Sequence, residues 1–190
     1  MPETISAVRT PPAASVGGAE GRAKGALICA FFGSVWMFWA AAFVPTARPA
    51  ALAFVAAITT VIVGWAISRV RAVRHREKSA ADRQRWASIA PLYWLNTAAE
   101  WLLVAGSVIA LAHYRRYALI PQAVGVIIGM HFLVLAKLIK EPRYYIMGAA
   151  MIFCVLASLH LHEGSLRNVI ACAGLGLPMW ITALVILFHD

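Results

Sequence analysis

Long apolar runs alternate with short polar segments along most of the chain. Each run is close to 20 residues long and carries few charges, which suits an α-helix crossing a hydrocarbon layer about 30 Å thick. The fifth run is the shortest and ends in the polar stretch "HLHEG". We therefore expect an all-α membrane protein with three sequential helical hairpins. The six predicted transmembrane helices cover residues 26–44, 50–68, 91–112, 119–138, 143–160 and 168–188.

Composition supports this class and sets the domain boundaries. Of the 190 residues, 62% are hydrophobic and 13% are charged, whereas a soluble domain is about half apolar and a quarter charged. Residues 1–24 are polar and rich in Pro, Gly and Ala, so we predict a disordered cytoplasmic tail. A cleaved secretory signal is the alternative, but its apolar part would be too long. Residues 25–190 are predicted to form one membrane domain.

The placement of charge predicts the orientation. The net charge is +9. With the N-terminus in the cytoplasm, the inside segments hold thirteen Lys and Arg residues and the outside segments hold four. The positive-inside rule therefore favours both termini in the cytoplasm.

The richest basic segment, residues 69–90, is predicted to be cytoplasmic. Juxtamembrane cations attract anionic lipid heads by about 1 kcal/mol each, so we prefer lipid to a protein partner here and expect no nucleic acid. Apolar positions such as Val70 and Trp86 suggest a weakly amphipathic helix lying on the membrane. The predicted lipid contacts are Arg69, Arg71, Arg74, Arg76 and Lys78.

A polar stripe runs along the third predicted helix. Its members are spaced three, four or seven residues apart, so they share one helical face. Ionisable groups inside a membrane are costly and face the bundle interior or a cavity. Glu100 is the only acidic residue that we place well inside a helix. The stripe consists of Tyr93, Asn96, Thr97, Glu100 and Ser107.

His131, in the fourth predicted helix, lies at the depth of Glu100. The third and fourth helices are joined near residue 115, and each of the two residues lies about 12–14 Å from the cytoplasmic boundary at 1.5 Å per residue. Three interpretations stay open: a structural hydrogen bond, a site for protons or a small solute, and a metal site or embedded acid/base enzyme.

Other residues favour packing over chemistry. Gly125 and Gly129 form a G-x-x-x-G motif for close helix contact, and Pro178 predicts a kink in the sixth helix. His131 lies off the Gly125/Gly129 face, so only one of these two surfaces can meet the third helix. Three histidines near one membrane surface are weak metal candidates, and we expect no metal or cofactor: His113, His160 and His162. Three cysteines inside predicted helices behave as small apolar residues: Cys29, Cys154 and Cys172.

The stretch "GMHFLVLAKLIKEPRYYIMGA" resembles a G-x-H-F-x-x-L-A…Y…G pattern of small, uncharacterised bacterial integral membrane proteins. The resemblance implies a multi-pass protein of the bacterial inner membrane and no particular chemistry. The matching positions are Gly129, His131, Phe132, Leu135, Ala136, Tyr145 and Gly148.

We expect a small transporter-like or channel-like protein that handles protons or a small solute. The first alternative is an accessory subunit of a larger complex, and the second is a membrane-embedded enzyme acting on a lipid or isoprenoid. No motif of known enzyme chemistry is present, which disfavours the enzyme. Self-association is compatible with the sequence.

Overall fold

The computed structural model describes residues 18–44, 46–74, 80–162 and 164–189. Helices account for nearly all of this part of the chain, and it contains no strand, so the prediction of an all-α protein is confirmed. A short 3₁₀ turn at Tyr117–Leu119 precedes the fourth helix. The six α-helices are α1 Gly18–Ala42, α2 Arg48–Val73, α3 Ala80–His113, α4 Ile120–Ile139, α5 Arg143–Ser158 and α6 Ser165–His189.

Five of these helices are long and apolar enough to cross a membrane. The exception is α5, whose 16 residues extend about 24 Å at 1.5 Å per residue, less than the roughly 30 Å of a hydrocarbon core. Large apolar side chains are exposed along the long helices, for example Leu102 at 74% and Phe54 at 64%. The chain is therefore a multi-pass membrane protein whose apolar helix surfaces contact lipid.

The N-terminal end of α1 differs from the sequence-based prediction. Residues 18–24, which we assigned to the disordered tail, are helical. Glu20 and Lys24 form an ion pair of 2.6 Å at i,i+4 spacing, an arrangement that supports a helix. The rest of the predicted tail, residues 1–17, lies outside the described residues.

In its described residues, 69–74 and 80–90, the basic segment forms no separate surface helix, which differs from the prediction. Residues 69–73 continue α2, and residues 80–90 are the first three turns of α3, while residues 75–79 lie outside the described part. Pro91 is inside α3 and does not end it. At 34 residues, α3 is about 51 Å long, so about two fifths of it extends beyond a hydrocarbon core of roughly 30 Å.

Helix α6 lies at the centre of the bundle. It packs most extensively on α1 and also contacts α2, α4 and α5. Its buried side chains include Leu175, Met179 and Ile186, and the Trp180 indole N–H donates to the Ser34 hydroxyl of α1 at 3.1 Å. Pro178 lies within α6, which runs unbroken from Ser165 to His189. Helix α3 is peripheral: it packs mainly on α4 and has no buried residue.

Glycines allow the closest helix contacts. A Cβ on Gly148 of α5 would lie 2.6 Å from the Gly129 carbonyl oxygen of α4, so only glycine permits this approach. A Cβ on Gly125 would lie 2.6 Å from Val155 of α5 and 2.9 Å from Leu175 of α6. The Gly125/Gly129 face of α4 therefore meets α5 and α6, and the opposite face is left for α3.

Candidate functional site

Three polar side chains meet where the peripheral helix α3 packs on α4. The His131 Nδ1 atom lies 3.2 Å from Glu100 Oε2 and 2.9 Å from Asn96 Nδ2. The Asn96 amide also donates to the His131 carbonyl oxygen at 3.4 Å. We call these three residues the polar cluster.

Helix geometry explains why the cluster forms. Asn96 and Glu100 are four residues apart on α3, so their side chains lie one above the other on one face. That face meets α4 on the side away from Gly125 and Gly129. His131 lies about 12 Å from the end of α4 at Ile139, at 1.5 Å per residue. The cluster therefore lies well inside the apolar length of both helices.

The cluster is only partly enclosed. The Glu100 side chain is 19% exposed and the His131 side chain is 10% exposed. The His131 ring packs edge-on against Phe132, with ring centroids 5.3 Å apart. Neither ionisable group is therefore completely buried.

A single ring nitrogen faces two partners. If the Asn96 amide donates to His131 Nδ1, that nitrogen carries no proton, and Glu100 must be protonated to hydrogen-bond it. If His131 Nδ1 carries a proton, it donates to the Glu100 carboxylate, and Asn96 keeps its bond to the His131 carbonyl. The two arrangements differ by one proton shared between the carboxyl group and the imidazole, which is the chemistry of a proton relay.

The rest of the predicted stripe lies near the cluster and does not touch it within hydrogen-bonding distance. Tyr93 and Thr97 are half-buried on the same face of α3. Tyr93 packs against Trp86 and Trp94, with ring centroids 5.4 and 5.2 Å away. The Ser107 hydroxyl turns back to the Val104 carbonyl of its own helix at 2.9 Å, so Ser107 is not part of the site.

A second group of polar residues lies on the side of the basic segment, and the sequence reading missed it. The buried Tyr144 hydroxyl is hydrogen-bonded to the Cys29 thiol of α1 and lies within electrostatic range of Glu141 and Tyr93. A Cβ on Gly25 would lie 2.5 Å from the Tyr144 hydroxyl oxygen, which fixes α1 against this phenol. Residues so far apart in the chain carry no local signal of their contact.

The Tyr144 group adjoins the polar cluster. The Tyr144 ring packs on Phe132 with centroids 5.7 Å apart, and Phe132 follows His131. Tyr93 precedes Asn96 by one helical turn on the same face of α3. Tyr93, Tyr144 and Glu141 therefore lie on the side of the cluster that faces the start of α5, where Glu141 lies 3.7 Å from Arg143, and none of the three is hydrogen-bonded to the cluster.

Another polar pair that we did not predict lies near the opposite membrane surface. Gln122 of α4 is buried and donates to the Ser158 hydroxyl of α5 at 3.5 Å. The Gln122 side-chain oxygen is buried without a hydrogen-bond partner. The sequence signal that could have predicted this pair is a glutamine in the first turn of an otherwise apolar helix. The hydrogen bond joins α4 to α5.

The candidate metal residues do not converge. His113 ends α3, and its ring packs edge-on to Tyr114 at 5.2 Å. His160 and His162 are exposed beyond α5. Across residues 18–44, 46–74, 80–162 and 164–189, no three His, Cys, Asp or Glu side chains are placed to hold one metal ion. The cysteines in this part of the chain are free thiols.

The predicted lipid-binding arginines have different environments. The Arg69 guanidinium donates to the Leu187 carbonyl at the end of α6 at 3.2 Å, where a cation complements the helix dipole. Arg71 and Arg74 are exposed, and Arg76 and Lys78 lie outside the described residues. Arg69 therefore stabilises the bundle directly, while Arg71 and Arg74 are open to a partner.

We expect Glu100 and His131 to be energetically coupled. Glu100→Ala or His131→Ala alone leaves one polar group without its partner, whereas the double variant leaves neither, so the single effects should not add. Polar contacts in membrane proteins contribute about 0.6 and up to about 1.7 kcal/mol. The coupling is measured from the unfolding free energies of the wild type, the two single variants and the double variant in one detergent system. Additive single effects would mean that the contact contributes nothing to stability.

Comparison with protein-family models, curated proteins and solved structures finds no match to this chain.

Proposed function

We propose that the chain is a small transporter-like or channel-like protein that handles protons or a small solute through the polar cluster. The observation that carries the proposal is the position of one His131 nitrogen between Asn96 and Glu100, at 2.9 and 3.2 Å. An acid and an imidazole in contact inside a membrane are expensive to maintain and mark ion or proton pathways. A purely structural contact is made at lower cost by Asn or Ser.

The polar residues between the cluster and the basic segment support the same proposal. Tyr93, Tyr144 and Glu141 add hydroxyl and carboxyl groups on the side of the cluster that faces the start of α5.

Proton flux is the direct test. The purified full-length protein in liposomes should acidify the lumen faster than protein-free liposomes when valinomycin and a potassium gradient set the membrane potential. A dye trapped in the lumen reports the pH. Flux equal to that of protein-free liposomes under an imposed potential, and equally under an imposed pH gradient, would contradict a proton pathway.

We further propose six membrane-spanning helices with both termini in the cytoplasm of a bacterial inner membrane. Local thinning of the bilayer lets the short α5 cross, and the short connections between successive helices agree with helices that alternate in direction across the membrane. The excess of Lys and Arg in the segments assigned to the cytoplasm sets the direction. The exposed Arg71 and Arg74 lie on this side, where anionic lipid heads attract them.

Cysteine labelling tests this orientation. In a variant without native cysteines, Ser165→Cys should react with an impermeant maleimide in intact cells, and Ala81→Cys should react only after lysis. Both positions are exposed, so accessibility within the protein does not separate them. The reverse pattern would overturn the orientation, and labelling of both in intact cells would indicate mixed topology.

An accessory-subunit function is the alternative that one observation favours. Helix α3 has no buried residue, and it exposes large apolar side chains that include Trp94 at 62% and Trp101 at 59%. A surface of this kind suits a larger partner as well as lipid. Purification in a mild detergent that retains partners, followed by mass spectrometry, distinguishes the two functions.

A further inference from the structure

An apolar cleft opens at the membrane surface opposite the basic segment. It has a volume of about 530 Å³, within the range of small-molecule sites. Helices α1, α3, α4 and α6 all contribute to its wall. The lining includes Trp39, Phe43, Val108, Tyr117, Pro121 and Asn168.

Three exposed arginines lie close in the chain to residues that line this cleft. Arg115 and Arg116 are exposed and directly precede Tyr117, which lines the cleft. Arg48 is exposed at the start of α2, a few residues after Phe43, which also lines it. The three loops at this membrane surface contain a single acidic residue that could offset these arginines, Glu163, and it lies outside the described residues.

Helix ends add to the positive potential. The N-termini of α2, α4 and α6 lie at this surface, and none has an acidic residue in its first turn. At the opposite surface, α1 and α3 begin with Glu20 and Asp82 in their first turns, whereas α5 has no acidic residue there. Helix N-termini attract anions, so the cleft combines an apolar interior with an anion-attracting rim.

From this combination we propose that the cleft binds an anionic phospholipid. One acyl chain lies in the cleft against Val108 and Pro121, and the phosphate lies at Arg115 and Arg116. A water-soluble anion would gain nothing from the apolar wall, and a zwitterionic lipid, whose headgroup cation offsets its phosphate, would gain less from the arginines than an anionic one. The proposal is independent of the polar cluster, which lies deeper in the membrane, and of the lipid contacts expected at the basic segment.

Photocrosslinking in bilayers of defined composition tests the proposal. The full-length protein is placed in phosphatidylcholine bilayers containing a trace of phosphatidylglycerol with a diazirine on one acyl chain, and adducts are mapped by peptide mass spectrometry. Adducts should concentrate at the cleft, with about tenfold preference over a phosphatidylcholine probe bearing the same chain. Unlabelled phosphatidylglycerol should compete, and unlabelled phosphatidylcholine should not.

Three variants separate the contribution of the lipid headgroup from that of the acyl chain. Arg115→Gln with Arg116→Gln should abolish the preference for phosphatidylglycerol, and Val108→Trp should reduce adducts of both probes by filling the cleft. Arg71→Gln with Arg74→Gln, on the opposite surface, is the matched control: any change in labelling should be confined to that surface, and the adducts and the lipid preference at the cleft should stay as in the wild type. Equal labelling of the wild type by the two probes, or adducts absent from the cleft, would overturn the proposal, whatever the variants do.

Discussion

Glu100→Gln should fold and insert at the wild-type level and lose proton flux down to that of protein-free liposomes. The carboxamide has nearly the same shape as the carboxyl group and can still donate to His131 Nδ1, so the contact between α3 and α4 survives. It cannot release or accept a proton at neutral pH. We therefore expect a functional loss much larger than the stability loss, which should stay below about 1.7 kcal/mol.

A matched control separates titration from general damage to α3. Ser107→Ala removes a hydroxyl from the same face of the helix, where that hydroxyl bonds only the Val104 carbonyl. Its flux should equal that of the wild type. A Glu100→Gln protein with full flux would leave the contact with His131 as a structural hydrogen bond and would exclude a titrating site.

Infrared difference spectroscopy gives a readout that does not depend on the transported species. Acid titration of the wild type should produce a band from a carboxyl group protonated in an apolar environment. The band should be missing in Glu100→Gln and shifted in Asn96→Leu, because Asn96 competes with Glu100 for His131 Nδ1. An unchanged band in Glu100→Gln would assign it to another acid.

Helix geometry determines which parts of this site can be predicted from the sequence. A short connection between two antiparallel helices fixes which residues share a depth, and this placed Glu100 level with His131. It does not fix the rotation of each helix about its axis. Rotation is set by the neighbours of α4, where the Gly125/Gly129 face packs on α5 and α6, and this turns His131 toward α3.

Contacts between helices distant in sequence are harder to predict. Tyr144 meets Cys29 and Gly25 only because α1 packs against the start of α5, and no local pattern encodes that neighbour. The predicted surface helix is absent from the described residues for a different reason. Basic residues near Arg83 are as compatible with the extension of α3 into water as with a helix on the membrane, and continuing an existing helix avoids the cost of a new nucleus.

Gly148→Val should destabilise the bundle more than any single polar substitution considered above. The new Cβ would lie 2.6 Å from the Gly129 carbonyl oxygen, and backbone cannot move aside as a flexible side chain can. Helices α4 and α5 must separate, so overpacking should cost about 1–3 kcal/mol or more. The effect is measured by thermal unfolding in detergent. The readout is the fraction of protein that still elutes as a monodisperse peak after heating.

Gly106→Val is the matched control for the glycine argument. A Cβ on Gly106 meets nothing within 4 Å on the exposed side of α3, so the same substitution there changes helix propensity without causing a clash. Its unfolding temperature should stay close to that of the wild type. If the glycine face of α4 met α3 instead of α5, Gly148→Val would be tolerated as well as Gly106→Val, and His131 would then be turned away from Glu100. A large difference between the two variants therefore supports both the contact of α4 with α5 and the orientation of His131 that depends on it.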